Sequence, residues 1–178
     1  MRLLMLLRHA KAVREARDGG DETRPLNDRG RSAATAVGRW LAGQAKLQPQ
    51  LALSSTAERT RETWDAIAAE LSAKVPVRYE PRLYLASPEA ILGCIAGAPK
   101  DVGQLILVGH NPGIHELARR LVGYIGARTA ARIAFDRMRE KFPTGALAVV
   151  AFPKAQSWAD VRFGEGRFES FVRPKDIA

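Results

Sequence analysis

Apolar residues fall along this chain in short blocks with two kinds of spacing. Leu3-Leu4-Met5-Leu6-Leu7 is continuously apolar. A run that short reads as a strand buried on both faces, although Leu and Met alone also suit a helix. Leu51-Ala52-Leu53, Pro76-Val77-Arg78-Tyr79 and Leu105-Ile106-Leu107-Val108 read as further strands, and Gly145 to Phe152 as another. Between them the spacing turns helical. Val37, Trp40 and Leu41 share one face of a helix over about 30–44, with Asn27-Asp28 as its cap. Trp64, Ile67, Ala68 and Leu71 fall at i, i+3, i+4, i+7. They follow Ser55-Thr56-Ala57-Glu58, which has the capping-box pattern. Ser87-Pro88-Glu89 and Asn111-Pro112 each put Pro at the first position of a helix, and Leu117, Leu121 and Ile125 form the apolar face of the second. Residues 128–142 read as a basic helix. Val161-Arg162-Phe163 and Arg167 to Val172 read as a hairpin around Gly164-Glu165-Gly166. The polar stretch from Ala10 to Pro25, with Gly19-Gly20 inside it, reads as a loop.

Strands alternating with helices predict an α/β fold, three layers deep, around a mostly parallel sheet that the closing hairpin makes mixed. The 178 residues suit one domain, given about 100–200 residues per domain, and no linker or cap segment divides them. Hydrophobic residues at 46% and charged residues at 26% exclude wholesale disorder. The lone cysteine, Cys94, excludes an intramolecular disulfide framework and argues against a Cys-based zinc site. The apolar N-terminal run is too short to span a membrane or serve as a signal core. The expectation is a cytoplasmic protein with no membrane partner. Charge is the outlier: 28 Lys and Arg against 19 Asp and Glu give +9, with Arg supplying 21 of the cations. That balance points to an anionic partner or substrate.

Ligands of open α/β sheets bind beyond the carboxyl ends of the strands. Arg8-His9 follows the first strand. Ser54-Ser55 follows the second, with Arg59 in the first turn of the next helix, and Gly109-His110-Asn111 follows the fourth. Two histidines and two arginines therefore meet at one edge, where helix N-termini also offer free N–H groups. These residue types suit phosphoryl transfer without a metal. A neutral imidazole nitrogen attacks phosphorus while the other ring nitrogen donates its proton to a carbonyl. Arg8 and Arg59 grip phosphoryl oxygens with forked donors, and a cationic His110 adds another donor.

Leu7-Arg8-His9-Ala10 resembles the R-H-G/A signature of the histidine phosphatase superfamily, which has the phosphoglycerate-mutase-like fold. Ser54 to Thr63 is similar to its S-x-x-x-R-x-x-x-T helix, with Arg61-Glu62 before the Thr. Leu107-Val108-Gly109-His110-Asn111-Pro112-Gly113 resembles the second-histidine motif, and Pro25-Leu26-Asn27-Asp28-Arg29-Gly30 the family's L-T/N-x-x-G helix start. Phe142-Pro143-Thr144-Gly145-Ala146 and Phe171-Val172-Arg173-Pro174 resemble the small SixA-type phosphohistidine phosphatases. The similarity spans nearly the whole chain. It implies His9 as nucleophile and Arg8, Arg59 and His110 as the phosphate clamp, with no metal and no cofactor. The implied partner is a phosphorylated protein, either a histidine phosphotransfer domain or a phosphocarrier protein, or else a small phosphorylated substrate. A family member of this size is expected to be a monomer. Larger relatives add a carboxylic general acid. Glu80 is the best-placed carboxylate here, but Tyr79-Glu80-Pro81-Arg82-Leu83-Tyr84 matches the mutase acid motif poorly. An imidazole leaves phosphorus more easily than an alkoxide, so a phosphohistidine substrate needs that acid less.

The other residues have blander readings. Asn111 is a helix cap or a substrate contact through its backbone N–H. His115 begins an H-E-x-x-H look-alike in which Arg119 replaces the second ligand, so it reads as structural or solvent-facing. Cys94 has Lys100 where a thiolate phosphatase needs Arg, and it reads as core packing, as do Trp40 and Trp64. Arg61 reads as a surface charge. Lys11, Arg14 and Arg17 read as a solvated loop or substrate contacts. Arg128, Arg132, Arg137, Arg139 and Lys141 read as a solvated helix face or a dock for an acidic partner. Two rivals stand beside the phosphohistidine reading. One is a phosphatase of small esters on the same fold, which would need the acid. The other is a basic nucleic-acid-binding module, which the charge suggests but no recognised motif supports, so no nucleic-acid partner is expected.

Overall fold

Alternate residues of the first strand bury into opposite layers, which is why an unbroken apolar run is needed there. Leu4 and Leu6 join one core and Met5 and Leu7 the other. The computed structural model describes residues 1–16, 19–127 and 129–177. In chain order these form β1 (Arg2–Arg8), α1 (Asp28–Ala42), β2 (Leu51–Ser54), α2 (Glu58–Ala68), β3 (Val77–Tyr79), α3 (Pro88–Ala96) and β4 (Gln104–Gly109). Then follow α4 (Gly113–Leu121), β5 (Val122–Ile125), α5 (Thr129–Glu140), β6 (Leu147–Phe152), β7 (Gly166–Val172) and α6 (Pro174–Ile177). Val37 and Leu41 of α1, Trp64 and Ile67 of α2 and Ile177 of α6 cover the Met5 face. Ile91 and Cys94 of α3, Ile114 and Leu117 of α4, and Phe135 and Met138 of α5 cover the Leu4 face. The three-layer α/β/α arrangement matches the expectation. Among the described residues, no helix is long and apolar enough to cross a membrane.

The seven strands lie in the order β3-β2-β4-β1-β6-β7-β5. Only β6 runs against the rest, pairing antiparallel with β1 and β7. Arg8 pairs with Gly109, and Ser54 with Val108, so β1, β4 and β2 end at one edge. Because β6 is reversed, it begins at that same edge, with Leu147 opposite Leu7. The edge therefore collects the ends of β1, β4 and β2, with that of β3 beside them, and the loop that precedes β6.

The structure corrects five local expectations. Val161 to Phe163 forms no strand. The chain there follows a 3-10 turn at Trp158–Asp160, closed by a Ser157/Asp160 capping box and pinned by the Trp158 indole donating to the Val102 carbonyl at 2.7 Å. The hairpin partner of β7 is β6. Ile125 belongs not to a helix but to β5, a short edge strand that starts directly where α4 stops. Ser55 caps no helix. The N-cap of α2 is Ala57, and α2 ends before Leu71. Asn111-Pro112 is a cis peptide bond with Pro112 at the N-cap of α4, one residue before the first helical position. The helix of the basic segment spans 129–140, and Arg128 lies outside the described residues.

Two motif glycines have a steric origin. A Cβ on Gly30 would stand 2.0 Å from the Lys11 carbonyl oxygen, and one on Gly113 would stand 1.9 Å from that of Ala86. Only glycine lets α1 and α4 start this close to neighbouring backbone.

Candidate active site

His9 leaves β1 with its N–H bonded to the Gly109 carbonyl at 3.0 Å, which extends the ladder with β4 by one residue. On the other side, the Gly145 N–H donates to the carbonyls of Arg8 and His9 at 3.0 and 3.1 Å. The nucleophile candidate is thus gripped from both neighbouring strands. Its Nδ1 lies 2.7 Å from the Ala10 carbonyl oxygen. A carbonyl only accepts, so Nδ1 carries the proton and Nε2 keeps its lone pair. Burial lowers the His9 pKa from 6.5 to about 4, with Arg59 and Arg8 pushing the same way. The imidazole is therefore neutral at ordinary pH.

The structure brings His110 beside it, with ring centroids 5.2 Å apart. His110 is 2% exposed, and its Nε2 lies 2.8 Å from the Ser55 hydroxyl. That contact explains why Ser55 is not a cap. Desolvation, then His9 and Arg59, lower the His110 pKa to about 3. His110 is therefore neutral in the site as it stands, because burial beside cations disfavours another positive charge.

Arg59, 1% exposed, reaches the same place from the first turn of α2. Its Nη2 contacts His110 Nδ1 at 3.4 Å. Its other bonds go to a residue that the sequence did not mark. Nη1 donates to the Asp21 carbonyl at 2.6 Å, and Nη2 to the Asp21 carboxylate at 2.9 Å. The Tyr84 hydroxyl donates to the same carboxylate, while its ring stands edge-on to His110 at 5.5 Å. Arg8 sends Nη1 to the Phe142 carbonyl at 2.9 Å. The Nε atoms of both Arg8 and Arg59 are buried with no hydrogen-bond partner. Two unsatisfied guanidinium donors beside two neutral imidazoles form a site suited to an anion.

Thr63 ties these pieces together. Its buried hydroxyl accepts from Ala10 N–H at 3.0 Å and donates to the Arg59 carbonyl at 2.6 Å. The motif spacing of Ser55, Arg59 and Thr63 is now physical: one holds His110, the next brings a guanidinium to His110 and Asp21, and the third joins the helix to the His9 loop. Thr63 and Ser55 were visible in that motif without roles. Asp21 and Tyr84 gave no signal beyond lying in or near quoted segments.

The two weaker candidates behave differently. Glu80 is locked to Arg82 by paired contacts of 3.0 Å. That bond, ahead of other causes, lowers its pKa. In this arrangement Glu80 is held as a carboxylate. Asn111 does not cap α4 through its side chain. Its Nδ2 donates to the Phe142 carbonyl at 3.0 Å, sharing that acceptor with Arg8, and its Oδ1 is buried without a partner.

The bland readings hold for several residues. His115 Nε2 donates to the Met138 and Arg139 carbonyls at 2.8 and 3.2 Å, a structural tie. Cys94 is buried, and burial pushes its thiol pKa up. Trp64 is core, and Trp40 packs partly buried against it. Arg61 stacks on Tyr79 at 4.0 Å. Lys11, Arg14, Arg132, Arg137 and Arg139 are exposed, and Arg17 lies outside the described residues.

Known proteins resemble this chain in sequence and in fold. The sequence profile of the histidine phosphatase superfamily (branch 1) matches residues 4–87. An uncharacterized protein of Mycobacterium tuberculosis is 36% identical over 95% of this chain and 100% of its own length. A candidate phosphohistidine phosphatase SixA from Nakamurella multipartitia is 32% identical, with a TM-score of 0.80 over 97% of this chain and 96% of that one. A candidate SixA from Agrobacterium tumefaciens is 29% identical, with a TM-score of 0.75 over 97% and 98%.

Proposed function

Because the chain belongs to the histidine phosphatase superfamily and is a SixA-type phosphohydrolase, we propose that it removes phosphate from protein phosphohistidine, without a metal, through a covalent intermediate on His9. The observation that carries this reading is the His9 Nδ1 contact with the Ala10 carbonyl. It leaves a neutral nitrogen with a free lone pair beside two arginines and a second histidine.

In the first step, His9 Nε2 attacks phosphorus. The P–N bond to the substrate breaks, and its electron pair returns to the substrate imidazole. That group leaves neutral when its other nitrogen carries a proton. Arg8 and Arg59 hold the equatorial oxygens, where charge accumulates. An arriving phosphoryl dianion reverses the local field, so it favours the protonated form of His110 as a further donor. In the second step, water attacks phosphorus and the P–Nε2 bond breaks. Phosphate departs with both water protons, and His9 regains its lone pair. Neither step needs Glu80, which favours phosphohistidine over an alkyl ester. The forked guanidinium donors supply the charge stabilisation that a metal provides elsewhere.

Rapid-quench mixing with histidine-phosphorylated proteins tests this. Candidate donors are a histidine phosphotransfer domain and a phosphocarrier protein. Acid-labile, base-stable phosphate is expected on the wild type and not on His9→Ala, and EDTA should change nothing. Full turnover by His9→Ala would sink the mechanism. Faster turnover of small esters than of phosphohistidine would move the substrate to esters.

A further inference from the structure

A groove of about 730 Å³ lies beside the site and takes no part in the chemistry above. Two of its walls come directly from the catalytic edge. Lys11 follows His9 by two residues, and Pro143-Thr144 leads into Gly145, whose N–H holds the Arg8 and His9 carbonyls. The groove has one dominant sign. Lys11, Arg29, Lys141, Arg173 and Lys175 line it, against the single carboxylate of Asp28. Arg173 is held by Asp176 at 2.8 Å. Lys11, Arg29, Lys141 and Lys175 are exposed and, among the described residues, make no ion pair. Ala33, Ala36 and Pro174 supply apolar surface between them.

We propose that this groove docks an acidic segment of the phosphoprotein whose phosphohistidine enters the site. The inference rests on the phosphohistidine reading and extends it to how the substrate is chosen. A compact anion such as phosphate calls for buried, forked donors converging on one point, as Arg8 and Arg59 do. Four exposed charges spread around an open groove match an anion that is itself spread out, with several carboxylates along a chain. Apolar contacts between the cations suit the aliphatic parts of such a segment. A phosphohistidine carried on a protein brings its neighbouring chain with it, so selectivity is available outside the pocket that performs the chemistry.

The test uses two synthetic phosphohistidine peptides of equal length, one flanked by Asp and Glu and one by neutral residues. The probes are turned over by the wild type and by the double variant Arg29→Glu, Lys175→Glu. Electrostatic attraction of this kind raises encounter rates about tenfold or more. The wild type should therefore favour the acidic peptide by about tenfold in kcat/KM at low salt. That preference should vanish at about 1 M ionic strength, where charges are screened beyond about 3 Å. The double variant should lose the preference while keeping its rate on the neutral peptide. Equal rates on both peptides in the wild type, or a preference that survives the double variant, would overturn the dock and leave the phosphatase reading intact. Failure to dephosphorylate either peptide, with small esters still cleaved, would instead overturn the substrate reading. If a single-stranded oligonucleotide suppresses the acidic-peptide preference far better than polyglutamate of equal charge, the groove belongs to a phosphate polyanion and the proposal fails.

Discussion

Asp21 occupies Arg59 with both its carboxylate and its backbone carbonyl, at 2.9 and 2.6 Å. A guanidinium that is 1% exposed needs an anion nearby, and Asp21 supplies one to the site as it stands. The phosphoryl group seeks the same donors, so the two anions compete. Removing the Asp21 charge should tighten inorganic phosphate by about tenfold, since a hydrogen bond to a charged group is worth about 1.5–3 kcal/mol. Asp21→Asn should also melt lower in phosphate-free buffer and recover more than the wild type when phosphate is added. Thermal melting against a phosphate titration measures both. Identical phosphate responses in the two proteins would show that Asp21 does not compete.

Acid should weaken the fold in two windows. Burial first holds His9 at about 4 and His110 at about 3, against 6.5 when solvated, with Arg59 and Arg8 adding to it at His9, and His9 and then Arg59 at His110. As pH falls below about 6.5 the unfolded chain takes up protons that the folded site refuses, so stability declines toward about pH 4. Asp21 has a carboxyl held well below its ordinary 3.8, by the Tyr84 hydroxyl first and Arg59 after burial is set against it. It adds a further loss below that value, where the unfolded chain is protonated and the folded one is not. Chemical denaturation across this range should show the upper slope in the wild type and less of it in His110→Gln. An unchanged slope in that variant would place the protons elsewhere. For a small phosphoramidate, kcat/KM should hold down to the region of pH 4, because it reports the groups of the free enzyme.

Thr63 serves two elements with one hydroxyl. Thr63→Val leaves the Ala10 N–H buried and unpaired, which costs about 1–3 kcal/mol. It also frees the His9 loop from α2, so kcat should fall more than KM rises. Thr63→Ser keeps the hydroxyl and should recover most of both losses. If Val and Ser variants behave alike, the methyl group matters and the hydrogen bonds do not.

Glu80 is held as a carboxylate by Arg82. Glu80→Gln should therefore change phosphohistidine turnover by less than about threefold, whereas a true general acid contributes about a hundredfold or more. A loss of that larger size, selective for esters, would restore Glu80 as the acid for a second substrate class.

The sequence revealed the residues whose positions follow from the architecture. His9, His110 and Arg59 were legible because strand ends and helix starts share an edge in this kind of sheet. What the sequence hid was what those residues bond to. Ser55 carries a capping pattern, yet α2 starts only at Glu58, with Ala57 as its N-cap, and the Ser55 hydroxyl meets His110 instead. Asp21 opens a single 3-10 turn over Asp21–Thr23, too short to leave a periodicity, and only the three-dimensional path of the chain brings it to Arg59. β5 was hidden for another reason: four residues including Gly123, at the sheet edge and joined directly to α4, leave too little alternation to read. Glu80 looked available in the sequence because Arg82, two residues away, gives no hint of where its side chain turns.

The pairing of β1 also bears on how the chain is made. Leu3 lies opposite Gln104 on one side and Ala151 on the other. β1 is made before β4 and β6 and must wait for both of its neighbours. Until then Leu3-Leu4-Met5-Leu6-Leu7 is an apolar segment with unpaired edges on both sides, the kind of surface that aggregates or recruits chaperones. Arg8 and His9 are attached to that waiting strand, so the reactive constellation cannot form before β4, with Gly109 and His110 at its end, has been made. A partly made chain carries the nucleophile without the means to use it.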